Sequence, residues 1–143
     1  MVDRYFFDTN IIAYAFDRSN RAKWETCRSL VRGGFQSETD SFVSNQVLAE
    51  LFVVLTMKVK RPITSEKAGL IVRSFIDSRA WKKVNYDHLT VGRAVADARS
   101  IGISFWDLLI AETMRDAGLK KIYTENLRDF EKISWVEAVN PLR

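Results

Sequence analysis

The sequence predicts an α/β fold, a sandwich of helices around a mainly parallel sheet of about five short strands. Three observations carry that expectation. Short aromatic and β-branched runs recur along the chain, each is followed by a segment whose apolar residues fall at helical spacing, and no linker or repeat interrupts them. With 143 residues, six glycines and two prolines, one domain over 1–143 is expected, long enough to bury a single apolar core.

The elements follow in order. Arg4 to Phe7 reads as a first strand that stops at Asp8-Thr9-Asn10 and delivers Asp8 to a loop. From Asn20 to Val31, Trp24, Cys27, Leu30 and Val31 recur at helical spacing, and Gly33-Gly34 supplies a stop. Ser41 to Ser44 is a short buried strand, with Ser44 or Asn45 capping a helix over 44–60 that ends near Arg61-Pro62. Thr64 to Arg79 repeats the helical pattern, and Trp81 to Asn85 is a brief extended piece. Asp87 opens a helix that stops at Gly102, and Ser104 to Ala117 forms another that Gly118 ends. Lys121 to Thr124 and Trp135 to Val139 are the last two strands. The helices over 44–60 and 64–79 carry more apolar residues than one buried face needs, among them Phe52, Val53, Met57 and Phe75, so part of that surface is expected to meet another chain.

Composition narrows the function. A lone cysteine, Cys27, rules out an internal disulfide and a cysteine-based zinc site, and favours a reducing compartment. The acidic start Met1-Val2-Asp3-Arg4 does not resemble a signal peptide, and no apolar run approaches the roughly 20 residues that cross a bilayer. The expected location is the cytoplasm. The formal charge of +4 permits a polyanionic partner without demanding one. A single histidine, His88, excludes both a histidine acid–base pair and a histidine-rich metal cage, so catalysis at neutral pH must lean on carboxylates, lysine, tyrosine or a bound metal.

In an open α/β sheet, ligands sit beyond the carboxyl ends of the strands. Asp8 follows the first strand there, Glu50 lies six residues past Ser44 on the next helix, Asp107 falls in the first turn of a late helix, and Thr124-Glu125-Asn126 with Asp129 follows the fourth strand. Each has a plainer explanation. Asp8 can be an Asx-turn residue, Ser104 with Asp107 a capping box, and Asn126 and Asp129 loop or cap residues. Glu50 is harder to dismiss, because it lies at the margin of an apolar stripe and must find a partner or a cation. Carboxylates converging at one sheet end repel each other unless a cation compensates, and with oxygen ligands only, that cation is Mg²⁺ or Mn²⁺.

These residues, in this order, resemble the motifs of the PIN-domain family of metal-dependent ribonucleases over nearly the whole chain. Phe7-Asp8-Thr9-Asn10-Ile11 looks like the first motif, Ser44 to Glu50 the second, and Phe105-Trp106-Asp107 with Leu108-Leu109-Ile110-Ala111 the third. Thr124-Glu125-Asn126 with Arg128-Asp129-Phe130 is similar to the fourth, and Val139-Asn140-Pro141 looks like the closing strand of VapC-type toxins. The resemblance implies a three-layer α/β/α fold and a site in which Asp8, Glu50 and Asp107 hold Mg²⁺ or Mn²⁺. Thr9 and Asn10 would orient Asp8, and Ser104 would orient Asp107. Many relatives carry an acid where this chain has Asn126, so the fourth role falls to Asp129, to Asn126 as a neutral ligand or water-holder, or to neither, with Thr124 beside them. The resemblance further implies an RNA substrate, a VapB-like antitoxin and a homodimer.

Water activated by the metal would cleave an RNA phosphodiester to leave 5′-phosphate and 3′-hydroxyl ends, a route the single histidine favours over a cyclic phosphate. The densest basic cluster is Lys58, Lys60 and Arg61, with Arg18, Arg21, Lys82, Lys83, Lys120 and Lys121 as further candidates for the RNA backbone; a solvated face is the plainer explanation of each. Trp106, beside Asp107, is the tryptophan kept as a substrate contact. The competing expectations are a catalytically weak RNA-binding module, motivated by Asn126, and an RNA-processing nuclease without an antitoxin. A receiver domain needs an acidic pair after the first strand, and a haloacid-dehalogenase-like phosphatase needs a second Asp at the position of Asn10; the chain has neither.

Overall fold

A computed structural model describes residues 3–143; the reading of Met1 and Val2 lies outside the described residues. Five parallel strands, β1 (Arg4–Phe7), β2 (Asp40–Ser44), β3 (Trp81–Val84), β4 (Lys121–Tyr123) and β5 (Glu137–Val139), stand in the order β3-β2-β1-β4-β5. Chain order therefore reverses between β1 and β4, where Phe7 pairs with Tyr123. That reversal opens a crevice at the carboxyl ends of the two strands.

The helices are α1 (Thr9–Tyr14), α2 (Arg21–Phe35), α3 (Asn45–Val53), α4 (Ser65–Asp77), α5 (His88–Ala98), α6 (Phe105–Asp116) and α7 (Leu127–Phe130), packed on the sheet as an α/β/α sandwich. Two of them depart from expectation. Asp8 does not enter a loop: it is the N-cap of α1, accepting from the Thr9 amide at 2.8 Å, because Ile11 and Ile12 gain full burial by continuing as helix. Leu127–Phe130 coils into α7, which seats Phe130 in the core.

Gly33 and Gly34 do not stop α2, which runs through them to Phe35. A Cβ on Gly34 would lie 2.5 Å from the Trp81 ring and 2.9 Å from Ser41 Oγ, so the glycine is there for close helix-to-sheet contact. The stop of α2 is Ser37, left-handed at φ +58°, whose neighbour Glu38 donates its amide to the Gly33 carbonyl at 2.9 Å, and Gly118, at φ +70°, ends α6 in the same way. The segment expected as one helix over 44–60 is α3 followed by a π-helical turn over Val54–Lys58, and that wider turn carries Lys58.

One core joins the layers. Phe7, Phe75, Trp81 and Phe35 meet edge to face or tilted, with centroids 4.8 Å apart for Phe7–Trp81 and 4.9 Å for Phe75–Trp81. Phe75 is thus a core residue, not a spare apolar one, while Phe52, Val53 and Met57 are exposed as expected. Trp81 is buried, Trp135 donates its indole N–H to the Ala111 carbonyl at 3.1 Å, and Trp106 stays exposed. Among the described residues no helix is long and apolar enough to cross a membrane.

Candidate active site

The crevice between β1 and β4 gathers the acidic residues. Asp8 leaves β1 with its amide bonded to the Tyr123 carbonyl at 3.0 Å, which fixes the start of α1 against β4. Its side chain is 6% exposed. Oδ1 accepts from the Thr9 amide, and Oδ2 accepts from Thr124 Oγ1 at 2.7 Å and, at a long 3.5 Å, from Asn10 Nδ2. Thr9 also donates its hydroxyl to Glu50 Oε2 at 3.2 Å, so one residue ties the start of α1 to α3.

Across the crevice, Asn126 Nδ2 donates to Asp107 Oδ2 at 2.8 Å and to Asp129 Oδ2 at 3.2 Å. Its own amide donates to Thr124 Oγ1 at 3.0 Å, closing a relay from Asp8 through Thr124 and Asn126 to Asp107 and Asp129. Asn126 and Asp129 are therefore both turned to Asp107, and neither is a plain loop residue. Ser104 is not what orients Asp107. It occupies the N-cap position of α6 without a side-chain capping bond, so the capping-box explanation also fails, and Asn126 holds the carboxylate instead.

The loop that supplies Thr124 and Asn126 is braced from behind. Lys23 of α2 donates to Glu125 Oε2 at 2.7 Å and to Tyr14 Oη at 3.2 Å, Tyr14 donates to Glu125 Oε1 at 2.7 Å, and the Glu125 amide donates to Asn10 Oδ1 at 3.3 Å. Glu125 stood in the fourth motif, but Lys23 and Tyr14 carried no signal in the sequence, because their meeting with it depends on α2 crossing α1. Gln46 was missed for a different reason: it carries no charge, yet it stands four residues before Glu50 on α3 and its Nε2 holds Glu50 Oε1 at 2.7 Å.

Four carboxylates near one another, with no lysine or arginine among the described residues paired to them, leave an electrostatic imprint. Burial, and behind it the Glu50 charge, pushes the Asp8 carboxyl up to about 6 against the bonds from Thr124 and Thr9. Burial first, then the charges of Asp8, Asp129 and Glu50 and a bond with Asp129, push Asp107 up to about 7. Either the group keeps a proton or something positive comes to it.

Among the described residues no three acidic, histidine or cysteine side chains close into a chelating cage. A zinc-like cage is thereby unsupported, but an ion of the magnesium class is held by one or two carboxylates and keeps its waters, which suits carboxylates that stand apart around an open crevice. All the donors are oxygens. The residues fit such an ion.

The basic candidates separate. Lys58 lines a cavity with Gln46, Glu50 and Trp106, and Lys60 and Arg61 are exposed on the turn beyond without lining it. Lys82 pairs with Asp40 at 3.0 Å, Lys121 with Asp3 at 3.4 Å, and Lys83 spends its ammonium on the carbonyls of Phe75, Ser78 and Trp81 at 2.6–3.1 Å. Those three serve the fold. Arg18 packs over the Trp24 ring, 4.9 Å from its centroid, on the α2 side.

The PIN domain family matches residues 5–136, from β1 to the approach to β5. The chain belongs to the PIN-domain family. Solved PIN-fold structures resemble it along nearly their whole length. VapC20 of Mycobacterium tuberculosis, described as a toxin that cleaves the sarcin–ricin loop, is 20% identical with a TM-score of 0.72, covering 93% of this chain and 97% of that one. VapBC of Salmonella typhimurium bound to DNA is 21% identical with a TM-score of 0.67 and 99% of both chains covered. VapBC2 of Rickettsia felis, bound to a DNA fragment from its promoter, is 21% identical with a TM-score of 0.66, covering 96% of this chain and 98% of that one. No curated protein matches the chain in sequence. At such identities these neighbours share the PIN fold with this chain, and the chemistry must be argued from its own residues.

Proposed function

We propose that this PIN domain is a divalent-cation-dependent endoribonuclease, the toxin of a VapBC-type pair, acting in the cytoplasm. The observation that carries the reading is the cluster of Asp8, Glu50, Asp107 and Asp129, in which Asp8 and Asp107 are pushed to about 6 and 7 with no lysine or arginine among the described residues bonded to either. Mg²⁺ or Mn²⁺, when bound, supplies a Lewis acid that raises the acidity of water and offsets charge on the phosphodiester. Asp8 and Asp107 hold the ion, with Glu50 as a further ligand. Thr9, Asn10 and Thr124 keep Asp8 oriented, and Asn126 keeps Asp107 and Asp129 in register. In this reading Asp129, held by Asn126, takes the fourth acidic role and would accept a proton from the attacking water.

Asp129 also removes the motive for the weak-binder alternative. An acid stands one hydrogen bond from Asn126, so the neutral amide at that position does not leave the cluster short of carboxylates. The exposed apolar residues Phe52, Val53, Met57, Leu70 and Ile76 on α3, the turn after it and α4 support a homodimer or an antitoxin contact on that face. The test is incubation with structured total RNA with and without Mg²⁺ or Mn²⁺, beside Asp8→Asn. The reading expects metal-dependent cuts with 5′-phosphate ends that the variant loses. RNA left intact by the wild type under both metals contradicts it.

A further inference from the structure

Beside Glu50 lies a cavity of about 470 Å³ lined by Gln46, Ala49, Val53, Val54, Lys58, Tyr86 and Trp106. Its walls do not look like surface left over from folding. Trp106 is 59% exposed on the first turn of α6, one residue from Asp107, and its ring makes only the edge-to-face contact with Phe105 at 5.4 Å among the aromatic residues described. Tyr86 faces the same space, half-buried. Lys58 makes no ion pair among the described residues, although it shares the cavity with Glu50.

The floor supplies the second observation. Gln46 is 8% exposed, and its Nε2 donates to Glu50 Oε1 at 2.7 Å and to the Trp106 carbonyl at 3.2 Å. Both neighbours are acceptors, so the carboxamide can stand in one orientation only. That leaves Gln46 Oε1 buried without a donor. A buried acceptor left unpaired is costly, and that cost is relieved when a donor reaches it from the cavity that Gln46 lines.

We propose that this cavity is a subsite for one unstacked nucleobase of the RNA strand, of the class that carries an amino group. The inference rests on the nuclease reading and deepens it. The base stacks on Trp106, Lys58 meets an adjoining phosphate, and Gln46 Oε1 accepts from the amino group. Uracil is disfavoured, because its one edge N–H is recessed between two carbonyl oxygens that the Glu50 carboxylate and the Trp106 carbonyl repel, whereas an exocyclic amino group projects two N–H donors. Gln46 is thus a specificity-determining residue as well as the group that positions Glu50.

The test measures binding, so it does not depend on cleavage. Fluorescence anisotropy gives the affinities of seven-nucleotide oligoadenylate and oligouridylate for Asp8→Asn protein in Mg²⁺, alone and combined with Trp106→Ala, Gln46→Leu or Lys58→Met. Oligoadenylate is expected to bind at least about fivefold more tightly than oligouridylate. Trp106→Ala weakens both by about tenfold, Gln46→Leu removes the difference between them, and Lys58→Met lowers the salt dependence by about one counterion. The surface variants Trp106→Ala and Lys58→Met keep the test decisive if Gln46→Leu fails to fold. Equal affinity for the two oligomers, or variants that bind as the parent does, overturns the subsite; if the wild type still cuts RNA in an Asp8-dependent way, the nuclease reading survives that result. If the wild type neither binds nor cuts RNA, both fall. A Trp106→Ala protein that sediments differently while binding RNA unchanged marks the cavity as a protein interface and also overturns the proposal.

Discussion

The molecule holds two clusters of acidic side chains, and they are built in opposite ways. Between α5 and α6, Glu112 is 0% exposed, yet Arg93 donates to its Oε1 at 3.0 Å, Arg115 stands 3.8 Å from its Oε2, and Arg93 also bonds Asp116. Its carboxyl is raised by burial and by a bond with Asp97, and Arg93 works against that rise. In the crevice between β1 and β4, Asp8, Glu50, Asp107 and Asp129 receive hydrogen bonds from hydroxyls, amides and carboxamides, and from no lysine or arginine among the described residues. A cluster that carries its own cations serves the fold. One satisfied by neutral donors alone remains short of positive charge, and is arranged for a cation or a proton from outside.

Asp8→Asn sharpens that contrast most. It is expected to abolish metal-dependent RNA cleavage and, at pH 8 in chelator, to stabilise the fold. The sign follows from the raised carboxyls. A group that holds its proton more tightly in the folded state favours folding at low pH, so the contribution of Asp8 is full below about pH 4 and is lost as pH rises through about 6. From 3.8 to about 6 is a change of about 2 units, on the order of 3 kcal/mol at pH 8. Urea unfolding at pH 5 and pH 8 checks it: the wild type loses stability over that interval, and the variant loses less.

Arg93→Met should do the reverse. Removing the arginine strands Glu112 in the interior, and the expected cost is about 2–3 kcal/mol, below that of breaking a fully buried pair because Arg93 is partly solvated. Cleavage per folded molecule should be unchanged, as measured by titrating active protein against its unfolding curve. Thr124→Val is the smallest of the three. It cuts the relay at the bond to Asp8 without touching a carboxylate, and an orienting group of this kind is worth about 10–100-fold in metal affinity or rate. Metal titrations of cleavage should show the loss mainly as a raised metal requirement.

The sequence carried the strands, most helices and the three acids Asp8, Glu50 and Asp107 as candidates, because strand-end position and helical spacing are local patterns. It misled where packing overrode local chemistry. Asp8-Thr9-Asn10 reads as a turn, but burial of Ile11 and Ile12 makes it a helix start. Gly33-Gly34 reads as a stop, but Trp81, nearly 50 residues away, requires the glycine. Phe75 looked spare until Phe35 and Trp81 closed around it. The partners of the acids were least legible. Asn126 and the Lys23–Tyr14–Glu125 brace act across elements, where no spacing announces them, whereas Gln46 stands four residues before Glu50 on α3, a spacing the sequence did offer.

The central claim, that the crevice cluster is built for an external cation and the other is not, is tested most directly by thermal unfolding at pH 8 in chelator and in millimolar Mn²⁺. A ligand that binds only the folded state stabilises it by mass action. The wild type and Arg93→Met should both melt at higher temperature with Mn²⁺, and Asp8→Asn should not. A wild type indifferent to Mn²⁺, or an Asp8→Asn protein that gains as much from it, would contradict the account.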